Sequence, residues 1–251
     1  MKTDSQLVLL LEELGANAWP SYIQQTIRTW RLRASFGVTK RANSVYAAGP
    51  FPDENWLALV EEFYQRRSIV PAFQVGSASP PELDSILEAN GYRIEYPCFL
   101  MMALCSEIIN RVRDEQRFTC TLAEEADDEW IRDFLILEDY PQEQHRGYSH
   151  IFSAIGPSKA FLRLYENDEV IGLGTAVVER SWSGLSNIIV SPRHRQKGAA
   201  AQIIRRLTRW AAGRGAERTY LQVLTDNEPA LALYDKLGFT AVSQYHYRTL
   251  E

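Results

Sequence analysis

The residues best suited to chemistry lie late in the chain. Arg195-Gln196-Lys197-Gly198-Ala199-Ala200-Ala201 stands between an apolar strand pattern and a long helical pattern. The first turn of a helix leaves backbone N–H groups unpaired, and the helix dipole adds positive potential there. Gly198 and the three alanines keep bulk away from those N–H groups, so a phosphate or pyrophosphate can approach the backbone closely. A plain left-handed turn before a small-residue helix start has the same local pattern. Further on, Asn227 opens a second helical pattern, which carries Tyr234 and ends at Gly238. A phenol there can serve as a general acid. It is also the ordinary polar handle of a half-buried packing residue.

A base is harder to find. Ser186 and Asn187, on the strand before the cradle, are not useful bases at neutral pH. Glu179 qualifies if its side chain points inward, which strand parity does not settle from one sequence. His246 has a suitable intrinsic pKa, but Tyr245-His246-Tyr247 alternates like an ordinary strand. A base acting through water, or a substrate arriving deprotonated, serves equally. The histidines (His145, His150, His194, His246) are scattered, and no metal cluster is expected.

The elements that must position these groups read as β-β-β-α-β-α-β. Strands are expected at 160–166, 170–179 and 184–191, with Asn167-Asp168-Glu169 as a tight turn. A helix follows, with Ile203, Ile204, Leu207, Trp210 and Ala211 at helical spacing and Gly213 and Gly215 closing it. Its basic residues Arg205, Arg206, Arg209 and Arg214 read as a solvated face, with attraction of a phosphate as the other reading. Then come a strand at 218–224, the Asn227–Leu237 helix, and one or two closing strands over 239–249. Upstream, 117–122 reads as a strand and 127–138 as a helix. At the start, Thr3-Asp4-Ser5-Gln6 reads as a capping box for a helix with Leu7, Leu10, Leu11 and Leu14 on one face, ended by Gly15.

The first half repeats part of this order. Phe73-Gln74-Val75 matches Leu221-Gln222-Val223 at an offset of 148, and 82–92 matches 229–239 at an offset of 147 through Gly91 and Gly238. A helical stretch at 54–67 precedes the first match as 199–212 precedes the second. Nearly constant offsets point to duplication. The polar stretch 106–116 reads as the linker, giving domains at 1–113 and 114–251. In this alignment Leu87 stands where Tyr234 stands. The counterpart of the cradle is Gly49-Pro50-Phe51-Pro52-Asp53-Glu54, where two prolines remove N–H donors and two acids oppose a phosphate.

Composition narrows the class. The 251 residues are 45% hydrophobic and 24% charged, a globular balance with enough apolar residues for a sizeable core. A net charge of −5 argues against general binding of nucleic-acid backbone and mildly favours a cationic acceptor. Cys98, Cys105 and Cys120 make no disulfide framework, which fits a reducing cytoplasm, and no run reaches the roughly 20 apolar residues of a membrane helix.

Taken together, 160–250 resembles the Gcn5-related N-acetyltransferase superfamily. Its motif [Q/R]-x-x-G-x-[G/A] is matched by Arg195, Gly198 and Ala200, and its later Asn, Tyr and Gly-Phe by Asn227, Tyr234, Gly238 and Phe239. Thr39-Lys40-Arg41-Ala42-Asn43-Ser44-Val45 looks like a segment of two-part bacterial members whose N-terminal half is a degenerate copy. The resemblance implies an α/β (α+β) tandem fold, each half a mixed, mostly antiparallel sheet flanked by helices. It implies acetyl transfer from acetyl-CoA to a primary amine by direct attack in a ternary complex. The pantetheine arm would pair with Ile188, Ile189 and Val190, and the pyrophosphate would meet the cradle of Arg195, Gln196, Lys197, Gly198, Ala199, Ala200 and Ala201. Asn227 would contact the cofactor arm, Tyr234 would face the thioester sulfur, and an N–H near Val190 would stabilise the oxyanion. Gln196 departs from the family, which commonly has Gly there. The first half is expected to bind no CoA and to pack so that one chain imitates a dimer, as a monomer or within a homodimer. The Thr39–Val45 segment is then a wall of the acceptor pocket or a buried strand. The acceptor, a small-molecule or peptide amine, stays open. A non-catalytic acyl-CoA-binding module and a longer-chain acyltransferase remain as alternatives.

Overall fold

The computed structural model describes residues 5–52 and 54–250. The first half contains α1 (Ser5–Ala18), β1 (Ile23–Ile27), β2 (Trp30–Ala34), β3 (Val45–Tyr46), α2 (Trp56–Gln65), β4 (Ala72–Val75), α3 (Leu83–Ala89) and β5 (Arg93–Leu104). After α4 (Cys105–Arg111) come β6 (Thr119–Ala123), α5 (Asp128–Leu137), α6 (His145–Ser153), β7 (Ser158–Glu166), β8 (Glu169–Glu179) and β9 (Trp182–Val190). The chain closes with α7 (Ala199–Ala212), β10 (Arg218–Leu224), α8 (Glu228–Leu237) and β11 (Thr240–Thr249).

All the strands form one sheet, ordered β1-β2-β3-β4-β11-β5-β10-β9-β8-β7-β6. About the β11–β5 seam the two sides of the order correspond, with β6 as an additional edge strand. The β3–β4 and β9–β10 pairs are parallel in both halves, and the corresponding outer pairs are antiparallel. At the centre the last strands are exchanged. β5, from the first half, pairs with β10 from Arg218↔Leu104 to Leu224↔Cys98, and β11, from the second, pairs with β4. Asp84 of α3 reinforces the exchange: it accepts from Arg248 Nε at 2.7 Å and Nη2 at 3.1 Å and lies 2.7 Å from His246 Nε2, both on β11.

The strand registers and core clusters put α2, α3, α4, α7 and α8 on one face. The other face carries α1, α5, α6 and the 35–44 segment. Helix α7 sits close to β8 because Gly172 and Gly174 are there. A Cβ on Gly174 would stand 2.4 Å from Ile203 Cγ2.

Three expectations change. Gly15 does not end α1, which runs on to Ala18; it lets the helix approach the sheet, since a Cβ there would lie 2.9 Å from Gln222 Nε2. The capping box over 3–6 falls partly outside the described residues. The linker stretch 106–116 is largely α4, because Ile108 is fully buried against α7 and the central core. Arg205 and Arg206 are not a solvated face. Their guanidinium groups hold the following segment through the carbonyls of Val112, Glu115 and Phe118, while Arg209 and Arg214 are exposed.

Glu12 is buried on α1, accepting the Ser77 N–H at 3.1 Å, and burial pushes its carboxyl up to about 7. An acid whose folded pKa is raised contributes full stability below its unfolded value and loses it as pH rises through the folded value. Glu12→Gln keeps the acceptor oxygen and removes the charge. It should stabilise the protein by about 1–3 kcal/mol at pH 8 and by far less at pH 5, read as urea midpoints. Equal shifts at both pH values would contradict the assignment.

Candidate active site

The sheet opens between β9 and β10. These parallel strands pair only at Arg218↔Trp182, Thr219↔Ser183 and Tyr220↔Gly184, after which 185–190 and 221–224 diverge. Gly184 lets the Tyr220 ring lie across the base of the split; a Cβ there would be 2.6 Å from its Oη. A bulge shapes the β9 side. Asn187 has φ +54°, the register slips opposite Gly174, and Asn187 Nδ2 donates to Thr175 Oγ1 at 3.0 Å. Beyond it, the Ser191 N–H bonds to the Ile171 carbonyl on β8 at 2.8 Å. Alternation along a strand therefore turns the Val190 N–H and C=O towards the open edge. Arg195 Nε donates to that Val190 carbonyl at 3.1 Å.

The cradle lies at the mouth of the split. Gly198 has φ +89°, a conformation that suits glycine, and precedes α7 with no side-chain cap. Gln202 is the first residue to close a helical bond, to the Gly198 carbonyl, so the Ala199, Ala200 and Ala201 N–H groups have no intrahelical acceptor. Gln196 also has positive φ, +61°, which costs a non-glycine side chain about 1 kcal/mol and explains a glycine preference at this position. Sequence reading missed an acid here. A Cβ on Gly198 would lie 2.8 Å from Glu115 Oε1, and Arg117 Nε holds that carboxylate at 2.8 Å while its Nη2 reaches the Lys197 carbonyl. Ile189 and Val190 are buried and Ile188 is half-buried.

Tyr234 comes from α8 and is only 8% exposed, packed on Phe239. Its hydroxyl has no hydrogen-bond partner among the described residues, and burial pushes the phenol up to about 12. The charge it feels is Arg41, from the opposite face of the sheet, where β9 and β10 part. Asn227 Oδ1 accepts the Ala230 N–H at 3.2 Å as the cap of α8, which leaves its Nδ2 open.

Two candidate bases are structural. His246 and Arg248 share Asp84 on the far side of the β11–β5 seam. Glu179 pairs with Trp182, at the opposite end of β9 from Val190, and takes the Asn17 amide at 3.1 Å. The structure offers Glu138 instead, at the C-terminal end of α5. It is half-buried, has no hydrogen bond or ion pair among the described residues, and its carboxyl is raised by burial and lowered by Arg41 and Arg195. Its place after an amphipathic helix, among Glu138-Asp139-Tyr140, carries no signal in sequence alone. Among the described residues no group of His, Cys, Asp and Glu is arranged to hold a metal ion, and no helix is long and apolar enough to cross a membrane.

A sheet split beside an uncapped, glycine-led helix, within a tandem arrangement of two related halves, defines a class of acyl-group transferases. The chain matches the family model described as "Probable histone acetyltransferase Rv0428c C-terminal" over residues 8–249. It belongs to the GCN5-related N-acetyltransferase (GNAT) family and is an acetyltransferase. It is 44% identical over 238 residues to the uncharacterized N-acetyltransferase YobR of Bacillus subtilis, covering 95% of this chain and 96% of that one. It is 26% identical over 238 residues to the probable histone acetyltransferase Rv0428c of Mycobacterium tuberculosis, covering 91% of this chain and 69% of that one. The fold is shared with a GCN5-related N-acetyltransferase from Kribbella flavida, with a TM-score of 0.70, 12% identity, and coverage of 99% and 96%. It is also shared with a tandem GNAT protein from the clavulanic acid biosynthesis pathway, with a TM-score of 0.61, 11% identity, and coverage of 78% and 68%.

Proposed function

We propose that the second half transfers the acetyl group of acetyl-CoA to a primary amine by direct attack. The observation that carries this reading is the coincidence of the β9–β10 split, the uncapped α7 N-terminus at its mouth and the free Tyr234 hydroxyl. The residues fit the co-substrate. The open edge of β9 offers the Val190 N–H, and the Gly198 turn with Ala199–Ala201 offers N–H groups to a pyrophosphate. Glu115 must leave Gly198 for a phosphate to bind there, with Arg117 remaining as the cation.

Amine attack on the thioester puts negative charge on the carbonyl oxygen and then on the departing sulfur. The Val190 N–H is placed to stabilise the oxygen. Tyr234 holds its proton at neutral pH, so it is in the donor form. A phenol near 12 favours a hydrogen bond to the developing thiolate over completed transfer, and the proton that the nitrogen sheds as the amide forms passes to the sulfur, so CoA leaves as the thiol. Glu138, raised but still ionisable, takes a proton from the incoming ammonium, directly or through water. No cysteine serves as an acyl carrier in this scheme: Cys98 and Cys105 are buried and burial pushes both thiols up. The first half binds no CoA in this reading. Leu87 is sealed in its core, and Phe51 fills the counterpart of the cradle against Trp30 and Trp56; Asp53 lies outside the described residues.

Calorimetric titration should find one acetyl-CoA site per chain, lost in Gly198→Glu, which adds both strain and a carboxylate. Two sites, or binding unchanged in the variant, would move the cofactor elsewhere. Tyr234→Phe should lower kcat about 10²-fold with acetyl-CoA affinity retained; unchanged turnover would return Tyr234 to a packing role, and absent turnover in the wild type would favour a binding module. In wild type, kcat/KM should fall as pH drops through a value above the ordinary carboxylate range, because the base must be ionised. Glu138→Gln should lower the rate and abolish that acid limb, and an intact limb would exclude Glu138.

A further inference from the structure

The segment 39–45 is held rigidly, with Arg41 as the exception. Lys40 Nζ donates to Thr249 Oγ1 at 3.0 Å and pairs with Glu95 at 2.5 Å. Asn43 makes four hydrogen bonds: it accepts from the Ser35 and Gly37 N–H groups and donates to the Ser35 and Thr39 carbonyls. Ala42 and Val45 are fully buried, and Ser44 takes the Arg33 guanidinium through its carbonyl and hydroxyl. Arg41 alone turns towards open space. Its guanidinium lies 5.1 Å from the Trp19 ring centroid, with no hydrogen bond and no carboxylate within ion-pair distance among the described residues.

That open space is the inner end of the split. Arg41 lines a narrow cleft between Gly184–Ser186 of β9 and Tyr220–Gln222 of β10, roofed by α1. It also lines an adjoining cleft beside Gln74 and Tyr247. The other groups whose charge it would feel most are Tyr245, Tyr247, Cys98 and Tyr140, none charged at neutral pH. The polar group facing it from β10 is Gln222, whose Oε1 accepts the Tyr245 hydroxyl at 2.9 Å and whose Nε2 is thereby left as a donor. Arg33, in the second cleft, is by contrast committed to Ser44 and Gln74.

We infer that Arg41, supplied by the first half, binds the carboxylate of the acceptor, so the acceptor is a small amine that carries a carboxylate, such as an amino acid. This rests on the reading of the split as the acetyl-transfer site. A partly buried cation without a counter-ion is costly, and a ligand carboxylate removes that cost. A guanidinium presents a planar fork matched to a carboxylate. The bonds around Asn43 and Lys40 hold the loop in advance, so little ordering opposes binding.

The test compares amino acids with their decarboxylated amines and with a lysine peptide amide, by thiol release from acetyl-CoA and by calorimetric binding to the acetyl-CoA-loaded protein. In wild type, kcat/KM for each amino acid should exceed that for its decarboxylated partner by about 30-fold or more. Arg41→Gln should collapse that ratio to near unity through KM, with acetyl-CoA affinity retained, and Arg41→Lys should keep part of it. The inference is overturned by a ratio near unity in wild type, by a ratio unchanged in Arg41→Gln, by preference for the peptide amide, or if no carboxylated amine binds or reacts. Failure of wild type to bind acetyl-CoA would be a separate result, removing the functional reading itself.

Discussion

The architecture depends on the exchange of two strands at the centre of the sheet. Neither half is complete without the other. β4 has its antiparallel neighbour only in β11, and β10 has its in β5. Removing either terminal strand leaves rows of backbone N–H and C=O groups unpaired in the middle of a covered sheet, which is far costlier than an exposed edge. The exchange also makes the first half a necessary part of the second half's site. β5 supports the whole length of β10, so β10 does not need β9 as a partner and can part from it after Tyr220. The split is thus stabilised by a strand from the other half.

Loss of the first half's own cradle follows from the same arrangement. Phe51, Trp30, Trp56 and Phe73 form an aromatic cluster where the counterpart of the second half's opening would lie. Packing there offsets the conformational entropy of a half that now serves to support its neighbour. The 35–45 segment gains a different use. Set on the face opposite α7 and α8, it approaches the split from behind, so Arg41 and Tyr234 come within electrostatic reach from opposite sides of the sheet.

Local pattern made much of this legible. The strands of the second half lie within two residues of their expected ends, and Asn167 and Asp168 both take the positive φ that a tight hairpin demands. Gly198 and Gly238 flank their helices as glycine chemistry requires. The correspondence of the two sides of the sheet matches the offset seen between 73–75 and 221–223. What escaped depends on partners distant in sequence. A strand such as β5 has the same residue pattern whether it pairs within its half or across the seam. Gly15 looks like a helix terminator, because close approach to Gln222 leaves no trace in the neighbouring letters. The parity of Glu179 mattered less than its distance along β9. Ile108 makes α4 a core helix, though its neighbours are polar.

The charges of the split separate binding from chemistry. Where the sheet opens, the groups left without internal partners are backbone N–H groups and a guanidinium: the α7 N-terminus, the Val190 N–H and Arg41. Glu138, which feels Arg41 and Arg195 and has no partner among the described residues, is held by burial in a state readier to accept a proton than an exposed carboxylate. The whole chain's charge of −5 does not describe this cleft. Net charge governs long-range attraction, whereas recognition depends on the few groups left without internal partners. Asp84, Glu95 and Asp127 are each paired with a buried or half-buried cation, so their charge is spent within the fold. Arg41 is not, and a cation that the fold leaves unpaired on a rigid loop is a stronger statement about the acceptor than the sum over the surface.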